Sequence, residues 1–163
     1  GAIIEQVKRS QVIEPYQTDP SKPVGEVEVY LDNGLGTASS GLITEAQKIL
    51  DGYIDGLGNP VIGYKAAGVV VTVKPVLAQT VNISATITPR AGYTLGSISS
   101  ALSVAATGYC DGLEVGEALD WDRLHFAVMA VKGVQTITLT VPSGDVASTS
   151  PVHRIRPGTL TWA

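Results

Sequence analysis

Few side chains in this sequence have the types and spacing that chemistry needs. His125 and His153 are its two histidines, and His125 follows Asp120 and Asp122 in the run "DWDRLH". A zinc ion or a general base would need a third ligand or a partner at matched spacing, and no Cys pair or second His at helical spacing supplies one. On a helix Asp120 and Asp122 point about 200° apart, so they do not converge on one proton or metal ion, and Asp120 reads better as a helix N-cap. The single cysteine, Cys110, has no evident base beside it, and no serine sits in a GxSxG turn. Asn82 opens the sequon "NIS", which matters only in a secreted eukaryotic protein. No catalytic, cofactor-binding or metal-ligating residue is assigned on these grounds, and the chain does not read as an enzyme.

One stretch offers a different chemistry. "NGLGTASSG", residues 33–41, joins a strand to the start of a helix, where backbone amides around Gly34 and Gly36 could cradle an anion. It lacks both the GxxxxGK[ST] and the GxGxxG spacing, and no Lys follows within reach, so a turn capped by Ser39 or Ser40 explains it with less. A small-ligand or anion-binding α+β domain using this turn stands as the alternative reading.

Charge and composition narrow the classes further. Fifteen acidic against eleven basic side chains leave a net charge of −4 with no basic stripe, which argues against nucleic acid as a partner. One cysteine excludes an internal disulfide framework and fits a reducing compartment. No apolar run reaches the ~18 residues of a membrane span, and no secretory leader is visible. The chain opens on "GAIIEQVKRSQ" without an initiator Met, which reads as a piece of a longer protein. Eighteen glycines and nine prolines beside one Phe point to many turns and an aliphatic core.

The elements that would position any site follow from periodicity. "GEVEVYLDNG" alternates Val27, Val29 and Leu31 with polar letters, as a half-buried strand does. "TASSGLITEAQKILDGY" sets Leu42, Ile43, Ala46, Ile49, Leu50 and Tyr53 at helical spacing, and "GVVVTVKP" at 68–75 reads as a strand covered on both faces. "VNISATITP" alternates again; "LGSISSALSVAATGY" is helical through Leu95, Ile98, Leu102, Ala105, Ala106 and Tyr109. A short helix carries Trp121, Leu124, Val128 and Val131, and "GVQTITLTVP" and "RPGTLTWA" are the closing strands. Trp162 is either an edge-strand core residue or part of a contact surface.

The heptads "GYIDGLG" at 52–58 and "GYCDGLE" at 108–114 share five letters in order, and each falls where a helix meets a turn. They predict a structural repeat, with Tyr53 and Tyr109 as the last core-facing residues of two helices and Asp-Gly as the turn. The expected class is α+β: two successive strand-helix-strand units in a ferredoxin-like mixed or antiparallel sheet with helices on one face. Residues 1–24, with "AIIEQVKRSQ" as a helix end and a Pro-rich stretch after it, form a lead-in arm. Residues 25–79 are the first unit, and residues 80–163 the second, strand-helix-helix-strand unit with its final strand.

The order of these signals resembles the baseplate J-like family of contractile phage tails and related injection particles. The resemblance runs through "GEVEVYLDNGLGTASSGLITEAQ", Pro60-Val61 before "GVVVTV", and "GLEVGEALDWDRLHFAVMAVKGV" with "TLTVPSGDV" at 112–146. It implies a structural component of the baseplate, making subunit contacts in a wedge or ring, and it matches the C-terminal part of a usually longer protein. It further implies other baseplate subunits as partners, possibly with copies of the chain itself, and neither nucleic acid nor membrane. Such a protein is made in the bacterial cytoplasm and resides in a virion tail or injection particle; the family supplies no catalytic residue and no cofactor to carry over. By itself the chain is expected to fold and to be monomeric or weakly associated.

Overall fold

A computed structural model describes residues 5–163. The chain divides into two compact units, one ending at Leu77 and the other running from Ala78 to Ala163.

The first unit contains strand β1 (Arg9–Ile13), the short helix α1 (Pro15–Thr18), strand β2 (Glu26–Asp32), helix α2 (Ser40–Asp51), the strands β3 (Gly52–Ile54) and β4 (Pro60–Ile62), and strand β5 (Val70–Pro75). β2 lies between β1, which is antiparallel to it, and β5, which is parallel to it. A parallel return needs a crossover, and α2 provides it, held at its start by the Ser39 hydroxyl, which accepts from the Leu42 N–H at 3.2 Å. α2 also closes the outer edge of β5. The Gln47 side-chain amide donates to the Val71 carbonyl at 2.8 Å and accepts from the Val73 N–H at 2.7 Å, standing in for a neighbouring strand.

All but the first residue of the long strand β6 (Leu77–Pro89) belongs to the second unit, followed by helices α3 (Leu95–Gly112) and α4 (Trp121–Met129) and strands β7 (Val134–Val141) and β8 (His153–Trp162). β6 is central, with β7 antiparallel on one side and β8 on the other. The Ile87 N–H donates to the Ala163 carbonyl and the Ala163 N–H to the Ala85 carbonyl, the offset pattern of a parallel pair. Val81, Ile83, Ala85 and Ile87 alternate into the core, where Ile98, Leu102, Ala106 and Cys110 of α3 meet Leu124 and Val128 of α4. Ile83, Leu102, Leu119, Leu124, Val128 and Ile155 are fully buried. Each such side chain contributes roughly 1.5–3 kcal/mol relative to exposure. Thr94 and Ser97 form a capping box at the start of α3, and Asp120 caps α4 by accepting from the Arg123 N–H at 2.9 Å. Trp162 packs against this core and its indole N–H donates to the Ser103 hydroxyl at 2.9 Å, so it is a core residue with a satisfied polar end.

The α+β class and the mixed sheets are as expected. The strands pair within each unit rather than across one ferredoxin-like sheet, because the outer edge of β5 is already taken by Gln47. β5 is also not covered on both faces: Val70 and Thr72 are exposed, since one helix covers one face of a three-stranded sheet. Of the segment expected as a helix end, residues 2–4 lie outside the described ones and Arg9 and Ser10 are strand.

The two heptads diverge. In the second, Tyr109, Cys110 and Asp111 are still helical, because Cys110 continues the buried row Ile98, Leu102, Ala106 at a spacing of four. In the first, the helix stops at Gly52 (φ +83°), and Tyr53 enters β3, which turns through Asp55 into β4. A side chain at Gly63 would collide with the Leu50 carbonyl and the backbone at Gly52, so the two glycines let this hairpin lie against the end of α2. The sequence repeat is therefore not a repeat of structure.

Candidate functional site

The turn at residues 33–41 is folded by its own polar side chains. The Asn33 side-chain oxygen accepts from the N–H groups of Leu35 and Gly36, both at 2.9 Å, and an Asp32 carboxylate oxygen accepts from the Gly34 N–H at 3.1 Å. This leaves the Asn33 amide, the Ser39 N–H and the Ser39 hydroxyl aimed at one point, and the carboxylate of Glu5 sits there. Glu5 accepts from Asn33 at 2.6 Å, from the Ser39 N–H at 2.9 Å, and from the Ser39 hydroxyl in a short bond. Hydrogen bonds from the Ser39 side chain and backbone, then from Asn33, hold the Glu5 carboxyl below its ordinary value. The turn does seat an anion, as its amides and the helix start favour, and that anion belongs to the chain. An external anion would have to displace it.

The other candidates do not converge. The His125 ring stacks on Trp121, centroids 5.1 Å apart, with Nε2 3.5 Å from the Ile137 carbonyl. His153 lies elsewhere, its Nδ1 2.9 Å from the Thr149 hydroxyl, which in turn meets Gln79. Asp120 is spent on capping α4, and Asp122 follows in the first turn. Cys110 is fully buried, and burial pushes its thiol up to about 11, away from thiolate chemistry. Among the described residues, no three His, Cys, Asp or Glu side chains are grouped to hold a metal ion. Nor is any helix there long and apolar enough to cross a membrane.

Sequence reasoning missed Arg154. This side chain of β8 is 1% exposed and donates from Nε to the Leu113 carbonyl at 3.1 Å and from Nη2 to the Asp111 carbonyl at 2.7 Å. The end of a helix leaves its last carbonyls without intrahelical donors and partially negative, and a buried guanidinium answers both needs. Arg154 is thus part of the scaffold: it fastens the last strand to the end of α3.

The first unit carries an apolar patch on its surface. On the β3–β4 hairpin Leu57 is 88% exposed, Ile62 89% and the following Tyr64 83%, with Ile54 also open. The carboxylate of Asp55, at the tip, is turned inward onto the N–H groups of Leu57 and Asn59, so it does not break the apolar surface. A two-stranded hairpin by itself is marginal in water. Here it is braced by the Lys65 N–H on the Leu50 carbonyl and by the Lys65–Asp51 ion pair at 2.7 Å. Beside it, α2 buries no side chain completely, and Val7, Val29, Leu31, Ala46, Leu50 and Val73 line an open apolar groove between helix and sheet. Large exposed aliphatic groups on one short hairpin are the kind of surface that protein contacts use.

Comparison with known families reaches the second unit. A family model described as the Baseplate J-like protein C-terminal domain matches residues 81–163, from within β6 to the chain end. No curated protein matches the chain.

Proposed function

The chain belongs to the Baseplate J-like protein C-terminal domain family, and from that premise we propose that it is a structural component of a phage-tail-like baseplate, making subunit contacts in the wedge or ring. Its partners in this reading are other baseplate subunits, its place is the tail or injection particle, and its work is contact rather than catalysis. The observation that carries the reading is the β3–β4 hairpin, with Leu57, Ile62 and Tyr64 almost wholly in solvent on a braced arm. A neighbouring subunit that covers them gains roughly 25 cal/mol per Å2 of apolar surface without having to order a loose loop.

The test changes the hairpin surface without touching the core. Leu57→Asp and Ile62→Asp together should leave the melting temperature of the isolated chain unchanged, because both side chains are exposed. In cells producing the particles, the same variant should be missing from purified tails, and complete baseplates should be scarce in electron micrographs. Complete baseplates at normal numbers, carrying the doubly substituted chain, would sink the proposal.

A further inference from the structure

We infer that residues 5–13 form an exchangeable strand, and that the same segment of a second copy of this chain is the partner that takes its place on β2. The inference rests on contacts inside the first unit and stands whether or not the chain serves in a baseplate. β1 is an edge strand, paired with β2 from Arg9↔Asp32 to Ile13↔Glu28, and none of its side chains is buried. Among the described elements, β2 is the one against which it packs extensively. Beyond the ladder, the Arg9 guanidinium meets the Asp32 carboxylate at 3.5 Å, the Lys8 N–H donates to the Asp32 carbonyl at 2.7 Å, and Glu5 is clasped by Asn33 and Ser39. These contacts join residues 5–13 to residues 26–39. An identical segment from a second copy therefore reproduces them at the same register, and no new surface has to be found.

Two further features favour exchange at this edge. The opposite edge of the sheet is closed by Gln47, so a strand can be traded only on the β1 side. The connection from β1 to β2, residues 14–25, carries Pro15, Pro20 and Pro23, and its one helix is the four-residue α1. Proline holds φ near −65° and biases the residue before it toward extended backbone, so in an exchanged form this twelve-residue connection can extend from one copy to the other with little loss of freedom. Since the closed and exchanged forms share their contacts, chain concentration decides between them. The closed form dominates in dilute solution, and the exchanged form grows when copies are concentrated or held side by side.

Val12 and Val29 are register partners across the β1–β2 ladder, which makes them a probe of whose β1 lies on whose β2. Val12→Cys and Val29→Cys single variants of the chain are mixed, concentrated and oxidised, with the buried Cys110 left in place. The expected product is a disulfide-linked heterodimer, formed several-fold more than with a Val70→Cys partner on the opposite edge and lost on reduction. The Val12→Cys/Val29→Cys double variant in dilute solution should instead cross-link within one chain. Internal cross-linking of the double variant with no more heterodimer than the Val70→Cys background would overturn the exchange. A double variant that does not cross-link at all would remove the β1–β2 pairing, and the inference with it.

Discussion

The hydroxyl of Tyr109 meets the backbone of Asp120 on both sides, accepting from its N–H at 2.9 Å and donating to its carbonyl at 3.0 Å. Tyr109 lies near the end of α3 and Asp120 is the N-cap of α4, so one phenol fixes where the second helix begins relative to the end of the first. The Asp120 carbonyl keeps a second donor, the Leu124 N–H at 3.1 Å, whereas the N–H has the phenol as its partner. Tyr109→Phe should therefore cost about 1 kcal/mol, the net worth of a hydrogen bond or two at a partly exposed position. For a chain of this size that lowers the melting temperature by about 2–4 °C. Calorimetry checks it; an unchanged transition would show that packing alone sets the α3–α4 joint.

Arg154 carries a larger consequence. Its guanidinium reaches two carbonyls at the end of α3 and lies 3.7 Å from the Asp111 carboxylate, while itself 1% exposed. Arg154→Met keeps most of the stem but strands those carbonyls. The expected loss is about 3 kcal/mol, a fall in melting temperature of about 6–12 °C. Arg154→Lys should recover little, since an ammonium cannot span two carbonyls as the planar fork does. Full stability in the lysine variant would mean that charge alone, and not the fork, holds β8 to α3.

Where one face of an element is buried, the residues announced it. The row Val81, Ile83, Ala85, Ile87 and the caps Ser39 and Asp120 could be read directly, because alternation and capping are local physics. In β2 the strand itself was legible but not its burial, since Val27 and Val29 are half-buried like their polar neighbours and Asp32 is buried beside Leu31. β1 could not, because none of its residues is buried and its letters show no inward side. Arg154 could not either. A charged letter in a strand reads as solvent-facing until the end of a helix is found against it. The heptads misled for a third reason: identical turn letters were outvoted at 108–112 by the apolar row that ends in Cys110. The anion seat at 33–41 was legible as a seat, but its occupant, Glu5, lies far upstream in a stretch with no motif.

That occupant ties the first unit to pH. Hydrogen bonds from Ser39 and Asn33 hold the Glu5 carboxyl below its ordinary value of 4.5, so the folded state favours its ionised form. A depressed folded pKa contributes stability that is complete above the unfolded value and disappears as pH falls through the folded one. Wild-type β1 amides should therefore exchange hydrogen more slowly than those of Glu5→Gln near neutral pH, and the two chains should converge once the pH has fallen through the lowered value of the folded carboxyl. Asp51, Asp55 and Glu28 are also held low, by Lys65, by the Asn59 backbone and by Lys74 respectively, so the whole unit loosens in acid. The ratio between wild type and Glu5→Gln at each pH cancels that shared loss and isolates the clasp. A ratio that stayed constant from neutral to acid would mean that the carboxylate at the turn does not hold β1 in place, and that the ladder to β2 carries the strand unaided.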